Sequence, residues 1–367
     1  MKRILIVGGL VKGGGISKFI IDLYPNLKIP NIEFEFMVET GVNDYVDIIN
    51  DNQLKVHYVT PFKDNPIAYC IDWKRFLRKN KNKYYAIHFH YDSLHKFFAI
   101  RYAKKIGIQR IIVHSHSSKN NLGVIKSFLH YIGKREIDKY ATDYIACSDK
   151  AAEWFFFPDK IKNVKIINNA IDIEKFKFNP KIRNELREKW KLNDDVVVYG
   201  HVGRFEEQKN HSFLIDIFYE LQKQKPNVHL ILVGRGSKEL EIKRKVEKLS
   251  IQDKVTFLGY RDDIADIYNA FDVLIFPSLF EGQPISLIEA QANGLPIFYS
   301  DTITKSIKLL PSTKSISLDK DAKYWADIIL GNSNFDVKRD KAYQVVSNKG
   351  YSRSALALKF KTFYENL

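Results

Sequence analysis

The sequence has 367 residues, 45% of them apolar, and a formal net charge of +15. That length suits two cores rather than one, and no apolar run approaches the ~20 residues of a membrane-spanning helix. Two cysteines, Cys70 and Cys147, are too few for a disulfide framework and read as buried thiols in a reducing compartment.

In chain order, the first apolar run, Ile4 to Val7, is too short for a secretion signal and is followed by glycines. A cytosolic place, or one on the cytosolic face of a membrane, is therefore expected. RILIVGG, from Arg3, reads as a buried strand, then a glycine loop, then a helix in ISKFIIDLYPNL. The alternation continues through IEFEFMVE, KVHYVTPF, CIDWKRFLRKNK, YYAIHFHY, LHKFFAIRYAKKIG, QRIIVHSHS, GVIKSFLHYIGKREIDKYA, DYIACS and KIINNAID. The polar stretch from Ile171 to Trp190 reads as a linker. A second cycle runs from VVVYGHVGRF through HSFLIDIFYELQKQK, VHLILVGRG, KELEIKRKVEKLS, KVTFLG, DIADIYNAF and DVLIFPS to PIFYSD. Such β–α alternation predicts an α/β protein with two doubly wound parallel sheets, each with helices on both faces. We place the domains at 1–178 and 179–351, with 352–367 returning to the first. Ligands of such sheets bind at the carboxyl ends of the strands, so the segments after each strand matter most.

After the strand ending at Val202 comes GRFEEQKN, holding Gly203, Arg204 and Lys209 before a helix start. Two cations beside free helix amides make an anion site suited to a diphosphate; alone, they could equally be solvated loop charges. The segment PSLFEGQPISLIEAQANGLP, from Pro277, follows another strand. It predicts a helix with Pro284 in its first turn and Gly294 just past its end. Glu281 lies in the loop and Glu289 in the otherwise apolar helix. A buried carboxylate needs donors, from the protein or from ligand hydroxyls. Gly282 allows close approach of a ligand to the backbone.

In the first half, Gly13, Gly14 and Gly15 sit between strand and helix, without the spacing of the dinucleotide fingerprint. Glu39 ends the second strand, where a ribose-binding acid would stand in an NAD enzyme. His114 and His116 alternate at a strand end, as do His88 and His90. No cysteine or acid at ligand spacing joins them, so no metal is expected. A histidine there could instead hydrogen-bond a sugar hydroxyl.

Together, GHVGRFEEQKNHSFLIDIF, LVGRG, VTFLGYRDDI, DVLIFPSLFEGQPISLIEAQANGLP and INNAIDIEKF resemble the retaining family-4 glycosyltransferases of the GT-B fold, above all those that build bacterial capsular and exopolysaccharides. The resemblance implies two Rossmann-like domains facing across a cleft. It also implies transfer of a sugar from a nucleoside diphosphate sugar, a UDP-sugar by expectation, to a hydroxyl of a lipid-linked glycan acceptor. Arg204 and Lys209 match the residues that hold the donor diphosphate, with Gly203 beside them. Glu289 matches the ribose-binding glutamate and Glu281 the one at the sugar hydroxyls. Gly282, Gln283, Pro284 and Ile285 match the loop over that sugar. Gly14 and Gly15 match the glycine loop, and His116, or else His114, the histidine near the sugar's 6-position. Relatives often carry an acid where Lys305 stands. No cofactor or metal is needed, since the cations stabilise the leaving diphosphate.

A nucleotide-sugar epimerase of the same fold, or a non-catalytic glycan-binding or partner subunit, is the alternative. The epimerase would act on the donor without an acceptor, and a binding subunit would not need the full motif set.

The charge is uneven. Residues 1–180 hold 29 Lys/Arg against 18 Asp/Glu, and the remainder 29 against 25. No nucleic-acid module is present. DWKRFLRKNKNKYY, with aromatics among the lysines from Lys74 to Lys83, and GVIKSFLHYIGKREIDKY therefore suggest peripheral attachment to the anionic inner face of the cell membrane.

Overall fold

The computed structural model describes residues 1–119, 123–332 and 339–367. The chain divides into two compact units, Met1–Asn169 with Arg353–Leu367, and Ala170–Ser352.

The first unit is built on strands β1 (Lys2–Leu10), β2 (Ile32–Asn43), β3 (Lys55–Tyr58), β4 (Ala86–Tyr91), β5 (Arg110–Ser115), β6 (Asp143–Ala146) and β7 (Lys165–Ile166). They form one sheet in the order β3-β2-β1-β4-β5-β6-β7, and every pairing is parallel. Strand alternation divides its two faces. Leu5, Val7, Ile87, Phe89, Ile111 and Val113 pack on one side with Tyr69, Trp73 and Leu77 of the helix Pro66–Lys79. The other side carries His88, His90 and His114, against Phe19 of the helix Gly15–Leu23 and Phe360 of the helix Arg353–Glu365.

The second unit holds β8 (Val197–Val202), β9 (Val228–Val233), β10 (Val255–Gly259), β11 (Val273–Phe276), β12 (Ile297–Ser300) and β13 (Thr313–Ile316). Their order is β10-β9-β8-β11-β12-β13, again all parallel. Each sheet reverses its winding once, between β1 and β4 in the first unit and between β8 and β11 in the second. These are the switch points where ligands of such folds bind.

Two expectations change. The polar stretch from Ile171 is no linker. Ile171, Ile173 and Phe176 are buried in the second unit's core, which moves the boundary from 178 back to 169. Beyond them, Pro180–Lys189 is a helix whose Asn179 side chain caps the amides of Lys181 and Ile182. Arg183 and Arg187 bind Asp272 at 2.5 and 3.2 Å, fixing that helix to the start of β11. Composition missed this because the charges that look solvated are used internally.

The aromatics of the stretch around Lys74 also differ. Trp73 and Tyr84 are buried and Phe76 is half-buried, so the outer face of that helix shows its lysines and arginines without them.

Candidate donor site

In the second unit the β8/β11 switch point brings both charged motifs together. The loop after β8 is fastened to the loop after β11 by three hydrogen bonds. The amide of Leu279 donates to the Gln208 carbonyl at 2.8 Å, Gln208 Nε2 to the Phe280 carbonyl at 2.9 Å, and Asn210 Nδ2 to the Pro277 carbonyl at 3.1 Å. Asn210 adopts a left-handed backbone, φ 55°, as it opens the helix His211–Gln224. Asparagine tolerates that conformation better than most residues. Neither Gln208 nor Asn210 stood out in the sequence.

Arg204 is exposed at this edge, while Lys209 is largely enclosed. Lys209 Nζ lies 2.6 Å from Glu281 Oε1 and 4.7 Å from the centre of the Phe276 ring. The lysine of one motif and the first glutamate of the other thus form a direct ion pair, which the sequence reading treated as separate parts. Beneath them the backbone is tight. A side chain at Gly234, φ +143°, would stand 2.0 Å from the Gly203 carbonyl oxygen, and one at Gly203 would press on Lys209 at 3.2 Å. Only glycine lets these two loops lie so close.

The helix expected after β11 spans Ile285–Ala292, with Pro284 at its cap, one place before the first turn, and Gly294 at φ +82° past its end. Its first N–H groups lack partners within the helix, as at any helix start. Glu281, Gly282, Gln283 and Pro284 are buried, and Ile285 is half-buried. Glu289, also buried, receives the Tyr268 hydroxyl at 3.3 Å. Burial first, and then Glu289, pushes the Tyr268 phenol well above its ordinary value, so it stays a donor. Lys305 lies exposed in a short 3-10 turn, Lys305–Ile307.

In the first unit, Gly13 has φ 79°, Gly14 caps the helix Gly15–Leu23, and a turn closes from the Gly14 amide to the Val11 carbonyl at 3.2 Å. His116 follows β5, and its ring lies 4.0 Å from that of His114. Burial lowers His116 to about 3. Burial and the neighbouring imidazoles also hold His88, His90 and His114 well below the ordinary value, so all four rings are neutral at pH 7.

Ring nitrogens of His88, His90 and His114 approach within 4.8 Å of one another. The His88 and His90 rings stack, however, with centres 4.1 Å apart, and both His90 nitrogens are already hydrogen-bonded. That is a poor set for converging on one ion. Glu39 is not a ribose acid. Tyr69, Trp73 and Tyr91 donate to its Oε1 at 2.7, 3.0 and 3.0 Å, and Lys96 holds Oε2 at 2.6 Å.

The family described as "Glycosyl transferases group 1" matches residues 182–307, which include the β8 and β11 motifs. The glycosyltransferase EpsF of Bacillus subtilis is 30% identical over 337 residues, covering 89% of this chain and 87% of EpsF. The chain belongs to the group 1 glycosyltransferases. Another similar glycosyltransferase, of Escherichia coli, is described as a UDP-Gal:alpha-D-GlcNAc-diphosphoundecaprenol alpha-1,3-galactosyltransferase. It is 32% identical over 143 residues, 38% of this chain and 36% of that one. The crystal structure of HepE from Anabaena, in complex with UDP and glucose, superposes over 100% of both chains with a TM-score of 0.80 at 17% identity. This glycosyltransferase has the GT-B fold.

Proposed function

We propose that the protein transfers a hexose from a UDP-sugar to a hydroxyl of a lipid-linked glycan, with retention and without a metal, as one step in building a capsular or exopolysaccharide. The observation that carries this reading is the Lys209–Glu281 pair at the β8/β11 switch point, with Glu289 eight residues on and Arg204 at the same edge. Arg204, Lys209 and the start of the helix Ile285–Ala292 would hold the diphosphate and stabilise the charge that grows on it as the sugar leaves. Glu289 accepts from the ribose hydroxyls and Glu281 from those of the sugar, along the loop Gly282–Gln283–Pro284. Gly14 and Gly15 lie along the substrates, and His116 hydrogen-bonds the sugar. The acceptor oxygen bonds to the anomeric carbon on the face the phosphate leaves, and its proton passes to the departing phosphate oxygen. The UDP named in the HepE complex and the diphosphoundecaprenol acceptor named for the E. coli relative support these choices.

A panel of nucleotide sugars, assayed with a polyprenyl-diphosphate glycan in EDTA, tests the reading. Consumption of a UDP-hexose with the anomeric configuration kept, as read from the product's NMR coupling, is expected. An inverted product, or an epimerised donor formed without acceptor, would overturn it.

The acceptor's lipid gives the basic first unit a partner. Among the described residues no helix is long and apolar enough to cross a membrane. The helix Gly123–Glu136, however, presents Val124, Ile125, Phe128 and Tyr131 outward, at 88, 78, 63 and 52% exposure. Its opposite side buries His130 and Gly133, where any side chain on Gly133 would meet the Leu94 carbonyl at 2.6 Å. Arg135 is exposed on the same side as the apolar residues, whereas Lys126 and Lys134 are half-buried, Lys134 donating to the Glu153 carbonyl at 2.6 Å. The helix follows the carboxyl end of β5, the ligand side of its sheet. An exposed apolar stripe on a unit with an excess of lysine and arginine suits an anionic lipid surface.

The protein should therefore sediment with anionic vesicles at low salt and not with neutral ones. Changing Val124, Ile125 and Phe128 to serine should cut binding by about tenfold or more, since each buried apolar side chain contributes about 1.5–3 kcal/mol. Equal sedimentation of the triple variant would rule this face out.

A further inference from the structure

The buried face of the first sheet contains a continuous chain of hydrogen bonds ending at His116. His88 Nδ1 lies 2.6 Å from the Tyr364 hydroxyl, and that hydroxyl 2.9 Å from the Tyr24 hydroxyl. The Tyr24 hydroxyl lies 2.9 Å from His90 Nε2, and His90 Nδ1 lies 2.9 Å from His116 Nε2. Tyr24 comes from the turn Tyr24–Asn26, the histidines from β4 and the end of β5, and Tyr364 from the helix Arg353–Glu365.

Each member has one proton to give, because the four rings nearby are neutral and both tyrosines keep theirs. Burial raises Tyr24 well above its ordinary value and raises Tyr364 too. Two proton orders run in one direction through all four links; the others, in which one tyrosine hydroxyl accepts twice, leave that tyrosine's own buried proton without an acceptor in the chain. In the first, Nδ1–H of His88 donates to Tyr364, Tyr364 to Tyr24, Tyr24 to His90 Nε2, and Nδ1–H of His90 to His116 Nε2. In the second, every donor is reversed, and His88 must then carry its proton on Nε2. That nitrogen is buried with no hydrogen-bond partner. The reversed order thus strands a buried N–H, whereas the first strands only a lone pair. Orphaned buried N–H donors are the rarer of the two.

We infer that Tyr24, acting through His90, is a positioning residue that fixes His116 as the Nδ1–H tautomer. His116 Nδ1 has no hydrogen-bond partner among the described residues, so the chain leaves it an N–H donor for an external acceptor oxygen. On the proposed function, that acceptor is a hydroxyl oxygen of the transferred sugar, which an Nδ1 lone pair would not serve in the same way. Tyr364 sets the direction from the other end, because it accepts from His88 and donates to Tyr24. His114, whose two nitrogens have no partner, stands outside the chain.

Long-range ¹⁵N–¹H correlation spectra of the full-length protein, labelled at histidine, test this without substrate, with His116→Gln assigning the signals. The expected result is a pyrrole-type Nδ1 and a pyridine-type Nε2 at His116. Tyr24→Phe should move His116 toward the other tautomer and lower kcat for the donor about tenfold while changing KM less than twofold. Tyr364→Phe, the milder variant, should give a smaller shift in the same direction if Tyr24→Phe folds poorly. A pyridine-type Nδ1 in the unaltered protein, or a His116 tautomer indifferent to both substitutions, would overturn the inference. If the tautomer behaves as expected but no nucleotide sugar turns over, the proposed reaction fails and the positioning chain stands.

Discussion

Lys209→Ala should lower donor turnover by about 10²–10³, the cost of removing one stabiliser of charge developing in a transition state. It should also lower the melting temperature, because the Glu281 carboxylate 2.6 Å away is buried and loses its cation. Breaking such a pair from one side costs about 3–5 kcal/mol, more than the intact pair contributes, since one charge is left uncompensated. The two effects separate in the double variant. Lys209→Ala with Glu281→Gln should recover most of the melting temperature and none of the turnover. Recovery of turnover as well would mean that neither Lys209 nor Glu281 acts on the substrates, and the phosphate role would be lost.

Acid should open the first unit between about pH 6.5 and pH 5, above the ordinary range of carboxylates. His88, His90, His114 and His116 are neutral in the fold because burial disfavours the imidazolium. In the unfolded chain each takes a proton near pH 6.5. Between that value and the lowered folded ones the unfolded state binds more protons, so stability falls as pH falls. One unit below 6.5 each histidine costs about 1.4 kcal/mol, and four together cost about 5–6 kcal/mol, comparable to the whole stability of an ordinary domain. Glu35 titrates elsewhere: burial raises it, but hydrogen bonds from Lys83, Tyr84 and His57 bring it down to about 2. Urea denaturation of the full chain at pH 7.5 and 5.5, followed by hydrogen exchange on first-unit peptides, measures the loss. His114→Phe, which removes a ring that makes no hydrogen bond, should lower the pH slope by one proton. An unchanged slope would mean that the cluster admits protons while folded.

The sequence made the local features readable. Apolar strands alternating with amphipathic helices gave both sheets, and Pro284 and Gly294 marked the ends of their helix to within a residue. The paired glutamates were visible because a carboxylate in an apolar helix contradicts its surroundings. What escaped was decided by contacts distant in the chain. Glu39 looked available until Tyr69, Trp73, Tyr91 and Lys96 were found around it. The helix Pro180–Lys189 looked solvated because its counter-ion, Asp272, is more than eighty residues away. The aromatics of the lysine-rich stretch around Lys74 looked exposed among its charges because spacing alone does not say which helix face they occupy. The chain to His116 needs Tyr24 and Tyr364, which are 340 residues apart.

That last separation bears on how the protein is made. Phe360 and Tyr364 fill the core of the first unit, and Arg353 pairs with Asp22 at 2.6 Å, so the earlier-made part of this unit waits for residues 353–365 before its sheet is fully covered. The second unit, Ala170–Ser352, is one uninterrupted segment and has all its parts earlier. At roughly 5–20 residues per second, the 183 residues between the two pieces of the first unit impose a delay of about 10–40 s. During synthesis the usual order is therefore inverted. The unit encoded second completes its core first, and the one encoded first spends that interval with the part of its sheet that Phe360 and Tyr364 cover, around His88 and His114, open to water and to chaperones.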